Sequence, residues 1–461
     1  MGGLIRNAKT LLSNASSEFF QRLRRDALTI LEAALKAADP YRAVLDCLAL
    51  RGSELVYPGG RLDLDEVGRV LVVGGGKAGA AMAAAVEDLM GDRVEWGLVN
   101  IPMGSNPVQA PEKIGLNEAG HPLPTPSGVE GVRRMLEATT GLGVGDLVVV
   151  LVSGGGSALL PQPVEGVSLE DLAAVTESLM RAGATIDELN AVRKHLSKVK
   201  GGQLARHLHP AKVLVLVVSD VVGDPLDTIA SGPTAPDPTT FGDALSVLRR
   251  YGLEGSTPKA VLERLKRGVE GRLRETPKPG DPVFRGVVNL VVASNRRALE
   301  AGKAEAQRLG YHTMVLTGFL EGEAREVGVV AASIARELAE QRAPLEPPAA
   351  LLMGGETTVT VKGGGSGGRN QELVLGAVTR LSGLPALLAS MGTDGVDGPT
   401  PAAGAMADGA TLARATSHSL NPHEALQEND SYRFFTVLGD TIETGPTGTN
   451  VNDLVVVLVG G

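Results

Sequence analysis

Val70-Leu71-Val72-Val73-Gly74-Gly75-Gly76-Lys77-Ala78-Gly79 is the stretch on which the fold turns. Four consecutive apolar residues read as a strand buried on both faces, as parallel sheets require. Glycines then turn the chain into an alanine-rich helix, Ala80 to Met90, which Gly91 stops. Such a turn lets backbone N–H groups approach an anion, and the helix N-terminus adds partial positive charge. Lys77 adds a full charge. The pattern recurs where Leu147-Val148-Val149-Val150-Leu151-Val152 runs into Ser153-Gly154-Gly155-Gly156-Ser157. A third run, Gly363-Gly364-Gly365-Ser366-Gly367-Gly368, leads into Arg369. Three such loops suggest a polyphosphate substrate.

Outward from the first loop, apolar strands alternate with helical segments. Strand candidates are Val70–Val73, Trp96–Ile101, Leu147–Val152 and Val213–Ser219, the signature of a mainly parallel, two-sided sheet. The stretch before Leu50 is helical by spacing, with Leu28, Leu31, Leu35 and Ala38 on one stripe, and Asp39-Pro40 opens a second short helix. Lys259 to Arg274 reads as a solvated helix, and Glu275 to Pro282, rich in proline, as an inter-domain linker. A second α/β series begins at Gly286, with a strand at Val287–Ala293 and a helix at Arg296–Leu309. Further strands are expected at Thr313–Thr317, Ala349–Met353, Ala386–Ser390, Phe434–Val437 and Leu454–Val459. Thr357–Lys362 alternates like an exposed antiparallel strand, so the second sheet is expected to be mixed. The expected architecture is therefore two α/β domains with the active site in the cleft between them. Residues 1–275 would form a Rossmann-like domain with leading helices, and residues 284–461 a second domain.

Composition narrows the function class. A chain of 461 residues exceeds one ordinary core. A net charge of −9 argues against a broad nucleic-acid surface. No apolar run approaches the roughly 20 residues that span a bilayer, and the start lacks the apolar core of a signal peptide, so the expected location is cytoplasmic. One cysteine, Cys47, excludes an internal disulfide framework and a multi-cysteine zinc site. It is read as core.

The glycines Gly74, Gly76 and Gly79 satisfy G-x-G-x-x-G after a strand, which invites a dinucleotide reading. An NAD site also needs an acid near the end of the second strand, and that strand ends in Asn100-Ile101-Pro102. The loop is not a Walker A either, because no Ser or Thr follows Lys77. Glycines merely packing helix on strand are the bland alternative. Ser153-Gly154-Gly155-Gly156-Ser157 is read either as a phosphate nest or as a tight turn.

Asn190-Ala191-Val192-Arg193-Lys194-His195-Leu196-Ser197-Lys198-Val199-Lys200-Gly201-Gly202 concentrates positive charge. Lys194 and Lys198 would share one helical face and repel unless an anion intervenes, and Arg193 near Lys200 would do the same on another face. A solvated basic helix end before a glycine cap is the alternative. Ser219-Asp220, Asp224 and Asp227 follow a strand, where ligands of open α/β sheets bind. Carboxylates there suit Mg²⁺, with Asp220 and Asp224 as candidate ligands, and helix capping is the competing role. Arg369 stands where a glycine loop enters a helix and can clamp a carboxylate or phosphoryl group. Asp394 and Asp397 occupy a loop after a strand, where turn chemistry competes with a metal or substrate role. His121, in a proline-rich loop, is given at most a substrate-lining role.

Taken in order, these segments resemble the glycerate 2-kinase family, whose C-terminal domain is called MOFRL. The resemblance covers nearly the whole chain beyond the first helices. It rests on Gly74 to Gly79, Ser153 to Ser157, Arg193-Lys194-His195-Leu196-Ser197 with Lys200-Gly201-Gly202, Ser219 to Asp224, Gly368-Arg369-Asn370-Gln371-Glu372 and Gly392-Thr393-Asp394-Gly395. It implies ATP-dependent phosphorylation of D-glycerate to 2-phosphoglycerate with Mg²⁺ or another divalent cation. It also implies catalytic roles for Lys77 and Arg369, to which the loop chemistry adds Asp394. Gly75, Gly76, Ser153, Gly154, Gly155, Gly156, Ser157, Lys194, Lys198 and Lys200 are the expected nucleotide-binding residues. Expected partners are small molecules, with no nucleic acid and no membrane, and the reading leaves room for a homodimer. The competing readings are an NAD(P)-dependent hydroxy-acid dehydrogenase and a non-catalytic nucleotide- or sugar-acid-binding module.

Overall fold

The computed structural model describes residues 3–461, and the chain divides into two compact units, residues 40–292 and residues 1–39 with 293–461. The first unit opens with a small antiparallel sheet of β1 (Ala49–Arg51), β2 (Glu54–Tyr57) and β3 (Gly60–Asp63). Its main sheet contains β4 (Val70–Gly75), β5 (Trp96–Pro102), β6 (Gly115–Ala119), β7 (Leu147–Val152), β8 (Lys212–Val218) and β9 (Val287–Ala293) in the order β6-β5-β4-β7-β8-β9. The pairings from β6 through β8 are parallel. Every residue of β4 and β7 is buried, which explains their unbroken apolar runs. Leu71, Val73, Val148, Val150, Val213 and Val215 build one core face. A separate helical cluster gathers Leu172, Val192, Phe241, Leu245 and Leu265.

From β4 the chain winds one way to β5 and β6; from β7 it winds the other way to β8 and β9. The order therefore reverses between β4 and β7, and the crevice beyond their carboxyl ends is the general ligand position of open α/β sheets. The two glycine loops emerge there.

In the second unit the sheet order is β10-β11-β15-β12-β13-β14, formed by β10 (His312–Leu320), β11 (Ala349–Gly355), β12 (Ala386–Gly392), β13 (Gly404–Asp408), β14 (Thr441–Ile442) and β15 (Asp453–Val459). Only β10 and β11 are parallel; β15 runs antiparallel to both β11 and β12, so the sheet is mixed. Helices 324–341 and 369–381 pack together over one core that includes Phe434 and Phe435. Among the described residues no helix is long and apolar enough to cross a membrane.

Several sequence expectations need correction. The leading helices belong with the second unit: helix 18–37 packs on helix 295–308 and on β15. Strand Val287–Ala293 extends the first sheet beside β8 rather than starting the second. Glu275–Pro282 is no linker, because Glu275 accepts the Phe241 N–H at 2.9 Å and Thr276 bonds the buried Asp237 at 2.8 Å within the first unit. Phe434–Val437 is helical, inside Ser431–Leu438. A four-residue apolar run does not distinguish strand from helix by periodicity. Thr357–Lys362 forms no strand and contributes one isolated bridge, Glu323 to Thr358. The helix from Lys259 ends at Val269.

The recruitment of the N-terminal helices has a polar centre. Arg24 is fully buried and donates to Asp408 and Asp440, each at 2.7 Å. Arg24→Met would leave two buried carboxylates short of a partner. It should destabilise the protein by about 3–5 kcal/mol, read from denaturant unfolding. A loss below about 1 kcal/mol would show that the cluster is dispensable.

Candidate active site

Backbone proximity builds the first loop cluster. A Cβ on Gly74 would sit 2.0 Å from the Leu151 carbonyl oxygen, and one on Gly76 would sit 2.0 Å from Ser153 Oγ. Both glycines have positive φ, 157° and 154°. The loops after β4 and β7 are stitched together: Lys77 N–H donates to Gly154 O at 2.8 Å, and Ala78 N–H donates to Ser153 Oγ at 3.0 Å. Gly155 has φ 79°, and a side chain there would meet the His121 ring at 2.8 Å. The N–H groups of Gly154 and Gly155 make no hydrogen bond among the described residues. The Lys77 side chain is exposed and forms no ion pair or hydrogen bond among the described residues. Its charge is felt by His121, whose imidazole pKa is lowered first by burial and then by Lys77. Asp220, just beyond β8, faces Gly154: a Cβ on that glycine would fall 2.3 Å from its carboxylate oxygen.

The dinucleotide fingerprint is accounted for differently. Asn100 is fully buried, and its amide donates to Gly128 O at 3.0 Å and Leu159 O at 2.7 Å. This residue knits the loops and supplies no carboxylate for ribose.

The basic segment separates into distinct roles. Helix 186–195 ends at His195, so Lys198 lies beyond it, exposed, and shares no helical face with Lys194. Lys194 is buried between Asp227 at 3.4 Å and Asp237 at 3.3 Å, which makes it an internal ion cluster. His195 bonds Glu275 at 3.1 Å. Lys200 is buried and donates to the carbonyls of Ser157 at 2.8 Å and Leu160 at 3.2 Å, holding the second glycine loop from below. Its amine is pushed down to about 7, mainly by burial and further by the charge of Arg193. Ser231 donates to Asn190 Oδ1 at 2.9 Å, so Ser157, 2.8 Å away, donates to Ser231. The sequence marks Ser231-Gly232-Pro233-Thr234 as a polar loop that could line the cleft and Asn190 as the start of the basic segment, but not the hydrogen bonds that join Asn190, Ser231 and Ser157. Ser231 has a left-handed backbone (φ 61°) that follows Ala230 (φ 50°). Two such non-glycine residues in succession mark stored strain, which clusters at functional sites.

In the second unit Arg369 opens helix 369–381 as expected. Its guanidinium grips Asp453 through Nε–Oδ2 at 2.6 Å and Nη2–Oδ1 at 3.0 Å, and Nη1 reaches Glu356 at 2.7 Å. Of five guanidinium N–H groups, these bonds engage three and leave two. Burial pushes the Asp453 carboxyl up to about 6, with Arg369 pulling the other way. The helix start itself is filled: Asp397 accepts the N–H groups of Asn370 at 3.0 Å and Gln371 at 2.8 Å. The third glycine run presses against Glu428 to Ser431. Thus the polyphosphate inference keeps two loops, and the third is satisfied by the protein's own carboxylate. Asp394 Oδ1 accepts the Val396 N–H at 3.1 Å, a turn contact that leaves its second oxygen without one among the described residues.

Among the described residues no group of three or more His, Cys, Asp or Glu is placed to hold a metal ion. A Mg²⁺ carried by substrate phosphates needs only one or two protein carboxylates. Asp220, at the loop mouth, fits that requirement. Asp224 sits in a left-handed turn (φ 56°), its N–H donating to Val221 O at 3.1 Å, and none of its hydrogen bonds among the described residues reaches the glycine loops.

Comparison with known proteins follows these features. Residues 26–266 match a domain of unknown function, DUF4147, and residues 349–453 match the MOFRL family. A glycerate 2-kinase of Pyrococcus horikoshii is 43% identical over 95% of this chain and 97% of its own. A putative hydroxypyruvate reductase of Agrobacterium vitis is 43% identical over 95% of this chain and 94% of its own. The crystal structure of a glycerate kinase from Thermotoga maritima superposes with TM-score 0.85 and 40% identity, covering 95% of this chain and 100% of that one.

The Arg369–Asp453 pair yields a pH signature. Burial raises the Asp453 pKa, so the neutral acid adds stability at low pH that is lost as pH rises through about 6. Asn at this position does not ionise. Between about pH 4 and pH 7 the wild type should lose on the order of 2–3 kcal/mol relative to Asp453→Asn. Parallel thermal melts across that range measure it, and parallel curves for the two proteins would refute it.

Proposed function

This chain belongs to the glycerate 2-kinase family with a MOFRL domain, and we propose that it transfers the γ-phosphoryl group of ATP to D-glycerate, giving 2-phosphoglycerate. The observation that carries the reading is Lys77: an exposed ammonium with no ion pair among the described residues, set by two interlocked glycine loops at the switch point of a parallel sheet.

Phosphoryl transfer asks a protein mainly to position groups and neutralise charge. The open N–H groups of Gly154 and Gly155 suit phosphate oxygens, because glycine lets the backbone come close. Lys77 then supplies the charge that offsets the transferring group. Gly75, Gly76 and Ser153 shape the loop, while Gly156, Ser157 and Lys200 hold the neighbouring backbone in place. A divalent cation such as Mg²⁺ would be held by Asp220 and would draw off phosphate charge when bound. Arg369 keeps two N–H donors for a substrate oxyanion, its plane fixed by Asp453 and Glu356. Asp394, with one carboxylate oxygen unengaged, is assigned to the glycerate hydroxyl. Lys194 is assigned to structure, since two aspartates already match its charge.

The reductase name borne by a relative makes hydride transfer the second reading. Against it stands Asn100, whose buried amide occupies the strand end where a nicotinamide site carries an acid.

The decisive assay is D-glycerate-dependent ADP formation with and without Mg²⁺, followed by identification of the phosphorylated carbon. Lys77→Ala and Arg369→Ala should each lower kcat by about 10²–10³ while thermal melts show a folded protein. Wild-type turnover in both variants, or oxidation of reduced nicotinamide by hydroxypyruvate in place of ADP formation, would overturn the reading.

A further inference from the structure

Arg193 differs from its charged neighbours. It sits in the last turn of helix 186–195, partly buried. Lys194 has two aspartates and His195 has Glu275, yet Arg193 makes no ion pair or side-chain hydrogen bond among the described residues. Burial lowers its pKa, and no acid acts to restore it. Its charge reaches another basic group, Lys200, whose own proton affinity falls partly because of Arg193. Like charges in partial burial oppose folding unless an anion joins them.

The surroundings say where that anion would lie. Arg193 is three residues from Asn190 and shares its helix face. Asn190 accepts from Ser231, Ser231 accepts from Ser157, and Lys200 holds the Ser157 carbonyl at 2.8 Å. The face carrying Arg193 is therefore tied to the loop that follows β7. The backbone at Ala230 and Ser231 is left-handed at this contact, as strained functional segments are.

We propose that Arg193 is an oxyanion-binding residue of the Ser153–Ser157 loop, gripping a carboxylate or phosphate with its guanidinium fork. The proposal rests on the kinase reading for the identity of the anion: the glycerate carboxylate or a nucleotide phosphate, which share this chemistry. Lysine would keep the charge but lose the planar fork.

Calorimetric titration of the full chain with D-glycerate, ATP and inorganic phosphate, each alone, tests it. Arg193→Gln should weaken at least one of them about ten- to hundredfold, and Arg193→Lys should fall between. The ligand whose affinity drops names the anion. Without ligand, Arg193→Gln should melt at or above the wild-type temperature, because an unmatched charge has been removed. Unchanged affinity for all three ligands would overturn the proposal, as would a lowered melting temperature together with equal loss for every ligand. If wild type forms no ADP from glycerate while phosphate binding still depends on Arg193, the kinase reading fails and the anion site stands.

Discussion

The close approach of two backbones at the carboxyl ends of β4 and β7 governs the first unit. Gly74 lies against the Leu151 carbonyl and Gly76 against Ser153, so neither position has space for a Cβ. Because the loops touch, each fixes the other: the Lys77 and Ala78 N–H groups end on Gly154 and Ser153. An isolated glycine turn has many conformations and pays heavily in entropy to hold one. Two turns bonded to each other have that freedom removed before any ligand arrives. Preorganisation of donors is what electrostatic catalysis requires.

Buried charge divides the molecule into matched and unmatched places. Arg24 has two aspartates, Lys194 has two, and Asp397 receives the N–H groups of a helix start. In each case geometry satisfies the desolvated group, which is the condition for keeping it buried. Arg369 is matched by Asp453 and Glu356 yet retains donors. Beside the second glycine loop Arg193 makes no ion pair among the described residues, and its charge lowers the proton affinity of the buried Lys200.

Much of the fold was legible because its strands are buried on both faces. Val70–Val73 and Leu147–Val152 have no polar alternation to confuse, and their ends are marked by glycines. The mixed second sheet was anticipated through the wrong segment: Thr357–Lys362 is not a strand, and the antiparallel pairings come from β15 between β11 and β12. Unit boundaries failed because one unit is discontinuous. No local pattern in residues 18–37 tells that Arg24 will reach Asp408 and Asp440, about 400 positions away. The same limit hid how Asn190, Ser231 and Ser157 are paired, since that hydrogen-bond chain crosses three segments. The places of Lys77 and Arg369, each beside a glycine loop near a helix start, were legible from the sequence.

Glycine loops count phosphates only when nothing else fills them. All three runs in this chain precede a helical segment, and the first and third bring a basic residue with them. At the third, the carboxylate of Asp397 already occupies the position an anion would take, accepting the Asn370 and Gln371 N–H groups. At the second, Gly154 and Gly155 present N–H groups without partners among the described residues. The first contributes less through its amides, which are bonded to Asn100 and Gly154, than through the cation it carries. One loop thus offers donors, one offers charge, and one is closed by the protein itself. A helix start attracts negative charge whatever its source, and at the third loop that source is the protein's own acid.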